Sequence, residues 1–491
     1  MQSPMQGRRK ILRVFDAVKA IAFVGDLSMG QPTDHSPRTA WLAQRLADAA
    51  GLLPWEADVA REAALLRWSG CTANASEFTD LLGDDVNGRE AMLAMRPSWT
   101  EAIDAAGGVD YAVSPLARIH CEVSSEVGRI LGLGEATEST LRHIFEAYDG
   151  SGMPNRLARG EIPQAVFVVG LAGDLEILSR NYGLKRARTL IRSKADRKYP
   201  SGLADRLIDG AAEWLGELDR QDQDQLERAV LTERMSLSTA PELIADVVDL
   251  KLPWMTGFSR RVARSAAQCC RQLGMGDTSE VVYRAGLIHG LGRAAVPNAT
   301  WMAPAALSAS AWEKIRLVPY WTSRAGKQIP ALAAEADIAS YGYERLDGSG
   351  YFRGVSGPAI PQENRVLATA IVWEALRSRR PWREALTVSQ AIVHLRREAE
   401  GGRLDRDIVE AIITPTSQSG AIRAKAADSP LSRRETEVLR HISLGASNKE
   451  AARTLGLSPR TIASHVESVF RKLGCSTRAA ATLKASTLGL L

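Results

Sequence analysis

An internal duplication constrains the fold of this chain more than any other feature. The turn sequence DGSG occurs at 149–152 and again at 347–350, and an Ile-Pro pair follows each copy at the same spacing. Upstream, the segment HSPR at 35–38 is matched by FSRR at 258–261. Ala- and Leu-rich runs alternate with short Gly/Pro breaks between these markers, and no alternating strand pattern is visible. The repeat predicts two copies of one helical module of roughly two hundred residues.

The second copy carries the more specific motifs. It contains HGLGR at 289–293 after an apolar run, then YERLDGSGY at 343–351 and RVLA at 365–368. In this order the motifs resemble the HD-GYP phosphohydrolase domain over about 250–405, and the first copy resembles it more faintly over 30–215. The resemblance implies an all-helical module whose His and Asp side chains hold two or three metal ions, which activate water for phosphodiester cleavage.

Most of the metal ligands implied by this resemblance are replaced in both copies. Among the aligned ligand positions of the second copy, only His289 keeps a donor; the others hold Phe258, Gly290, Val318, Gly342, Tyr343 and Ile371. The first copy has Arg67-Trp68 and Ile144-Phe145 in place of the two paired motifs, and its weak metal candidates are His35, His120 and Asp174. Metal ions need several oxygen or imidazole donors, and a nearby Arg67 would repel them. We therefore expect a pseudoenzyme with no catalytic residues, no metal and no other cofactor.

A pocket that has lost its ligands for metal can still bind a molecule. Arginine pairs well with phosphate, and aromatic side chains stack on planar groups. The residues expected near the former metal sites, and thus the candidate ligand-binding set, are Arg67, Trp68, His289, Arg293, Tyr343 and Arg345. They suit a nucleotide or another planar or apolar effector. An equally weighted alternative is that the aromatic side chains only fill the emptied space.

The last sixty residues form a separate basic unit. Four helical patterns, Ser432–Leu444, Asn448–Leu455, Pro459–Leu473 and Thr477–Thr487, follow one another with Gly-containing breaks. Ser and Pro precede or begin them as helix starts require. From residue 430 onward there are ten Lys or Arg and four Glu, a net charge of +6, whereas the whole chain carries +5. Two helices joined by a short turn, with local positive charge, predict a helix-turn-helix that binds DNA phosphates.

This unit closely resembles the LuxR-type (GerE-like) helix-turn-helix. The matching motifs are LSRRETEVL at 431–439, GASNKEAA at 445–452, SPRTI at 458–462 and KLG at 472–474. The resemblance implies that Arg460, Ser464 and His465 face the groove, that Thr461 and Lys472 contact phosphates, and that Lys449 also lies on the DNA face. Ala463 departs from the family, which often has Lys there, so one contact is expected to be missing.

Composition and spacing give the remaining expectations. At 491 residues, with 45% hydrophobic and 24% charged residues, the chain has room for about three soluble domains. We predict a first module at 1–220, a second at 221–413, a flexible Pro/Ser/Ala-rich linker at 414–429 and the DNA-binding domain at 430–491. Five scattered cysteines, no secretory signal and no membrane-length apolar run favour a reduced, cytoplasmic protein without a membrane partner.

Three functions fit these observations. The preferred one is a transcription regulator, in which the degenerate modules sense a ligand or partner and a homodimer binds double-stranded DNA. The second is an active metal-dependent phosphohydrolase, such as a cyclic dinucleotide phosphodiesterase, fused to a DNA-binding domain. The third is a helical scaffold that only dimerises. Metal content separates the second from the others, and a ligand-dependent shift of the melting temperature separates the first from the third.

Overall fold

A computed structural model describes residues 11–303, 306–414 and 429–491. The described residues are almost entirely helical, which confirms the predicted all-α class. One small feature departs from it, because Leu12–Arg13 (β1) and Ser238–Thr239 (β2) pair as a two-residue antiparallel ladder. Among the described residues, no helix is both long and apolar enough to cross a bilayer.

The helices fall into three groups that follow the chain. The first module contains α1 (Val14–Ser28), α2 (His35–Ala49), α3 (Pro54–Leu66), α4 (Ala75–Leu82), α5 (Asp85–Leu93), α6 (Pro97–Ala105), α7 (Val109–Ala112), α8 (Ser114–Ile130), α9 (Glu135–Arg142), α10 (Gln164–Arg192), α11 (Ser201–Leu218) and α12 (Gln223–Val230). The second contains α13 (Glu242–Asp249), α14 (Phe258–Gln272), α15 (Ser279–Ile288), α16 (Asn298–Met302), α17 (Ala309–Arg316), α18 (Val318–Gln328), α19 (Ala333–Ala339), α20 (Gln362–Leu376), α21 (Val388–Glu400) and α22 (Arg406–Ile413). The C-terminal domain contains α23 (Arg433–Ser443), α24 (Asn448–Leu455), α25 (Pro459–Leu473) and α26 (Arg478–Thr487).

The duplication is visible in the hydrogen bonds as well as in the sequence. In the first module the carboxylate of Asp26 accepts bonds from the backbone and hydroxyl of Ser36, at 3.0 and 2.6 Å. In the second, Asp249 accepts the same two bonds from Ser259, at 2.8 and 2.7 Å. Each pair ties the helix that opens a module to the next helix. Neither Asp was singled out in the sequence, because each lies before the motifs that marked the repeat.

Helix α1 is buried on all sides. Every one of its residues, from Val14 to Ser28, is buried. It contacts α3 in the first module and α13 and the 291–295 turn in the second, so it has no solvent side. Its polar residues are paired instead: Lys19 Nζ lies 2.8 Å from a carboxylate oxygen of Glu227.

The segment from α12 to β2 contacts the first module. Helix α12 packs on α2, and β2 pairs with β1. The boundary at residue 221 between the two modules stays a prediction. The modules share a continuous apolar core and a buried polar link, in which Lys251 Nζ lies 2.6 Å from Asp85 and the Asn298 backbone N–H donates to the same carboxylate at 2.7 Å.

The C-terminal domain follows the predicted helices closely. Ser432, Ser447 and Ser458 are the N-cap residues of α23, α24 and α25, and each hydroxyl accepts a backbone N–H of the first turn. Gly456 ends α24 in the left-handed region with φ 65°, which forms the turn of the helix-turn-helix. The predicted linker at 414–429 lies almost wholly outside the described residues.

The C-terminal domain rests against both modules. Helix α26 packs on α8 of the first module and on α13 of the second, and Ala480 and Leu483 join the main apolar core. The Thr256 hydroxyl donates to the Ser443 carbonyl at 2.7 Å, and the backbone N–H of Ser476 donates to the carboxylate of Glu122. The C-terminal domain is therefore docked through α26 and through Ser443 and Ser476.

Candidate functional sites

The expected DNA-binding face is open in the docked arrangement. On α25, Arg460, Thr461 and Ser464 are exposed and His465 is half-buried, while Ile462 and Val466 point into the domain core. The exposed residues lie in the first two turns of the helix, where a recognition helix contacts base edges.

Two further residues of the predicted DNA face differ in their surroundings. Lys449 is exposed in the first turn of α24. Lys472, by contrast, is engaged with its own domain, because its Nζ lies 2.7 Å from Glu435 Oε2. Lys472, Ser432 and Ser468 hold the pKa of Glu435 at about 2 against the effect of burial. Lys472 thus stabilises the contact of α25 with α23 in addition to any contact with phosphate.

The first module encloses a cavity of about 370 Å³ at its former metal site. This volume lies within the usual range of small-molecule pockets. Its floor contains Arg67 and Trp68 from the end of α3, His120 of α8 and Phe145. Most of the remaining wall is apolar, with Met29, Phe78, Met92, Leu93, Met95, Val113, Leu116 and Met153.

Part of the cavity wall comes from a segment that is longer in the first module than in the second. Trp68 and His120 are 52 positions apart, whereas their counterparts Gly290 and Val318 are 28 apart. The segment from 68 to 120 contains α4 to α7 and supplies Asn74, Phe78, Arg89 and Met92 to the cavity. Arg89 is held in place by Asp85, by the Asn74 side chain at 2.7 Å and by two backbone carbonyls. The sequence analysis did not predict this wall, although the unequal spacing of the two copies is visible in the sequence.

Arg67 is buried but sparsely paired. Its guanidinium stacks on the Trp68 ring, 4.0 Å from the ring centroid, and donates one long hydrogen bond, at 3.4 Å, to the Val169 carbonyl. Within the described residues it forms no ion pair. Burial lowers the pKa of Arg67 to about 10, so it stays charged at neutral pH. A Cβ at Gly173 would lie 1.5 Å from its Nη1, so only glycine leaves room for it.

The weak metal candidates of the first module have other partners. His120 Nε2 lies 2.7 Å from the Arg67 carbonyl, and burial lowers the pKa of His120 to about 3, so the ring is neutral. Burial disfavours the charge on Asp174, but Lys198 and Lys194 outweigh it and hold its pKa at about 2. His35 Nδ1 bonds to Glu176 at 2.6 Å.

These contacts do not fit a metal centre. No group of three or more His, Cys, Asp or Glu side chains suited to a metal ion occurs in the described ranges. Asp174 is neutralised by ammonium groups, and the cation nearest to the former site is the Arg67 guanidinium. The donor set of this module therefore does not match the metal dependence that its fold resemblance implies.

The former metal site of the second module is filled by its own side chains. Arg293 Nη2 lies 2.6 Å from His289 Nε2, and its Nη1 lies 3.5 Å from Asp249. The guanidinium also lies over Phe258, which occupies an expected ligand position, at 5.4 Å from its ring centroid. Arg380 lies over the same ring. Burial and the neighbouring Arg293 lower the pKa of His289 well below its usual value, so the imidazole accepts a hydrogen bond from Arg293.

The six predicted ligand-binding residues do not form one site. Arg67 and Trp68 line the first-module cavity, whereas His289 and Arg293 belong to the filled cluster of the second module. Tyr343 stacks on Tyr351 with 5.2 Å between ring centroids, and Arg345 donates to the backbone carbonyl of Glu344. Whether these side chains bind a ligand or only fill the emptied space stays a prediction for both modules.

Family models match two parts of the chain. Residues 242–408 match the HD domain, and residues 429–485 match the luxR family of bacterial regulatory proteins. The HD match begins at α13, and the luxR match spans α23 to α25 and most of α26.

Individual relatives agree with this division. The 3'3'-cGAMP-specific phosphodiesterase 3 of Vibrio cholerae is 25% identical over 401 residues, which cover 75% of this chain and 87% of that protein. The crystal structure of that cyclic GMP-AMP specific phosphodiesterase, V-cGAP3, matches with a TM-score of 0.59 at 21% identity, over 82% of this chain and 97% of that one, and so supports the fold. The transcriptional activator RamA of Corynebacterium glutamicum is 34% identical over 128 residues, 26% of this chain and 41% of RamA.

Proposed function

Because this chain joins an HD domain to a C-terminal domain of the luxR family of bacterial regulators, we propose that it is a DNA-binding transcriptional regulator. In this proposal the two helical modules bind a ligand without cleaving it and control the DNA-binding unit. The observation that carries the proposal is the exposed, cationic face of α25. The domain that contains α25 packs on the first module, which also contains the cavity.

DNA binding would use two kinds of contact. Arg460 and Ser464 lie four residues apart on the exposed side of α25, where they reach base edges together. Lys449 and Thr461 lie beside them and suit phosphate oxygens.

We keep the prediction that the chain binds DNA as a homodimer. Each subunit would contact one half-site, and light scattering with and without duplex would test the oligomeric state.

The test is a set of binding isotherms at several salt concentrations, on a duplex selected from a random library by the full chain. We expect Arg460→Ala to weaken binding about tenfold or more, as a lost base contact does, and Lys449→Ala to reduce the salt slope by about one. Arg396→Ala is the matched control, because Arg396 is an exposed arginine of α21, outside the C-terminal domain, and is paired with Glu410. Equal affinities for all four proteins would contradict the proposal.

Helix α8 gives the two sites a physical connection. Leu116, Ala117 and His120 of α8 line the cavity, and Glu122 of the same helix accepts the hydrogen bonds of Ser476 in the C-terminal domain. A ligand that shifts α8 would change how α26 docks. Such a ligand acts only if it binds the docked and undocked arrangements with different affinity.

A metal-dependent phosphodiesterase is the second candidate, and the names of the relatives favour it. The paired states of His120 and Asp174 and the Arg293–His289 contact weigh against it, because each removes a donor from a metal site.

A further inference from the structure

Two adjacent residues of the first-module cavity, Arg67 and Trp68, have few hydrogen-bond partners within the chain. Arg67 and Trp68 are 5% and 2% exposed. The Trp68 Nε1–H has no acceptor among the described residues, and the Arg67 guanidinium has only the long bond to Val169. A buried donor without an acceptor is destabilising, and a buried charge without a partner is more so. The Arg67 guanidinium lines the cavity with one long hydrogen bond, so its remaining N–H groups can donate to an acceptor from outside the chain.

The charge of the cavity indicates what that acceptor is. Its lining contains four cationic side chains and two carboxylates. Asp174 is already paired with Lys198, and the carboxylate of Glu146 accepts the backbone N–H groups of Asn155 and Leu157. Arg89 is balanced by Asp85. Arg67 is left as the cation without a carboxylate, so an anionic group fits beside it.

The rest of the wall indicates an apolar body. Four methionines, Met29, Met92, Met95 and Met153, line the cavity together with Leu, Val and Phe. Methionine adapts its shape to flexible apolar ligands. Polar side chains of the wall, such as Asn74 and Arg89, bond to each other. The many polar atoms of a nucleotide would lose their hydrogen bonds to water here without replacement.

We propose that the first-module cavity binds a small apolar acid, whose carboxylate or similar anionic head accepts from Arg67 and the Trp68 indole and whose flexible hydrocarbon body lies among the methionines. This inference rests on the proposed function and names the ligand class of its sensor. Lys194 and Lys198 are 31% and 41% exposed in their side chains, so the Asp174 side of the cavity opens to solvent and admits the ligand.

The experiment compares decanoate with decanol by calorimetric titration of the full-length chain. Both probes have the same ten-carbon body and differ in the head group. We expect decanoate to bind at least about tenfold more tightly, as a charge-assisted pair requires. Arg67→Met should remove this preference, and Arg67→Lys should restore part of it. Trp68→Phe, which keeps the ring and removes the unsatisfied N–H, should weaken decanoate about threefold to tenfold without lowering the melting temperature.

A matched control shows whether the effect of Trp68→Phe is specific to the cavity or follows from replacing any buried tryptophan. Trp301 in the second module also has a buried Nε1 without a partner, but it does not line the cavity. Trp301→Phe should leave decanoate affinity unchanged. The inference is overturned if neither probe binds, if decanol binds as tightly as decanoate, if Arg67→Met and Trp68→Phe keep the preference, or if 3'3'-cGAMP occupies the cavity in an Arg67-dependent way.

A DNA measurement distinguishes this inference from the proposed function. Saturating decanoate should change the affinity of the chain for its selected duplex, and Glu122→Ala should reduce that change because it removes the contact with Ser476. If decanoate binds as expected and DNA affinity stays constant, the ligand class stands and ligand control of DNA binding fails.

Discussion

Each helical module has a buried arginine at its former metal site, but the two arginines come from different positions and pair differently, since Arg67 aligns with His289 and not with Arg293. In the second, Arg293 lies between Asp249 and His289 and over Phe258, so its charge and its donors are used within the chain. In the first, Arg67 stacks on Trp68 but has no carboxylate partner, and both face a cavity. An arginine in a former metal site can thus complete a core or prepare a binding pocket. The first module also has a longer segment between these positions, which contains α4 to α7 and supplies part of the cavity wall.

The largest expected difference concerns the two arginines. Arg293→Met leaves the buried carboxylate of Asp249 without its cation, and we expect it to lower the free energy of unfolding by about 3 kcal/mol or more. Arg67→Met breaks no ion pair and should change it by less than about 1 kcal/mol. Urea unfolding followed by circular dichroism would measure both. A larger loss for Arg67→Met would show that Arg67 is a structural residue and remove the contrast between the modules.

Substitutions in α10, which packs against Arg67, test how much space the guanidinium has. Gly173→Ala places a Cβ against the guanidinium, which must move toward the cavity, so this variant should lose most of the up to about 1 kcal/mol that alanine gains over glycine in a helix. Gly170→Ala in the same helix is the control, because its Cβ would meet nothing within 4 Å, and it should stabilise α10 by up to about 1 kcal/mol. Thermal unfolding of both variants measures the difference. Equal melting temperatures would mean that Arg67 is not fixed against α10.

A smaller expected effect is a pH dependence of stability that the first module has and the second lacks at the aligned position. The pKa of Asp174 is about 2 in the folded chain, below its ordinary value, whereas the aligned position of the second module is the non-titrating Ile371. A carboxylate whose pKa is lower in the folded chain than in the unfolded chain stabilises the fold at pH values above its unfolded pKa. This stabilisation is lost as the pH falls toward the folded pKa. Asp174 should therefore contribute at most about 2 kcal/mol that disappears between about pH 4 and pH 2.

Two variants check this pH dependence. Asp174→Asn should show a flatter loss of stability over that pH interval than the unaltered chain. Asp205→Asn changes an exposed carboxylate of α11 and should follow the unaltered chain. Parallel curves for all three proteins would place the acid sensitivity elsewhere.

The sequence predicted most of the fold because local signals marked it. Capping serines and the glycine of the turn fixed the C-terminal helices almost to the residue, since each signal acts within one helical turn. The repeat predicted both modules, and the replaced ligand positions do meet in space: a Cβ at Gly342 would lie 2.7 Å from Ile371.

What the sequence did not predict depends on distant contacts. Arg293 is paired because it reaches Asp249, which lies 44 positions away, and no local pattern in the sequence shows this contact or the lack of one at Arg67. The docking contact between Glu122 and Ser476 joins residues 354 positions apart and has no local pattern. The longer segment of the first module had a signal, the unequal spacing of the two copies, but only the structure shows that it lines a cavity.

The central claim is that the HD scaffold of this chain binds a ligand and does not cleave a phosphodiester. The most direct test purifies the full-length chain from cells supplied with iron and manganese, measures its metal content, and follows hydrolysis of 3'3'-cGAMP. We predict no stoichiometric metal and no turnover, since His120, Asp174 and His289 are committed to other partners. Stoichiometric metal with turnover, both lost in His120→Ala and Asp174→Asn, would contradict the account and establish an active phosphodiesterase.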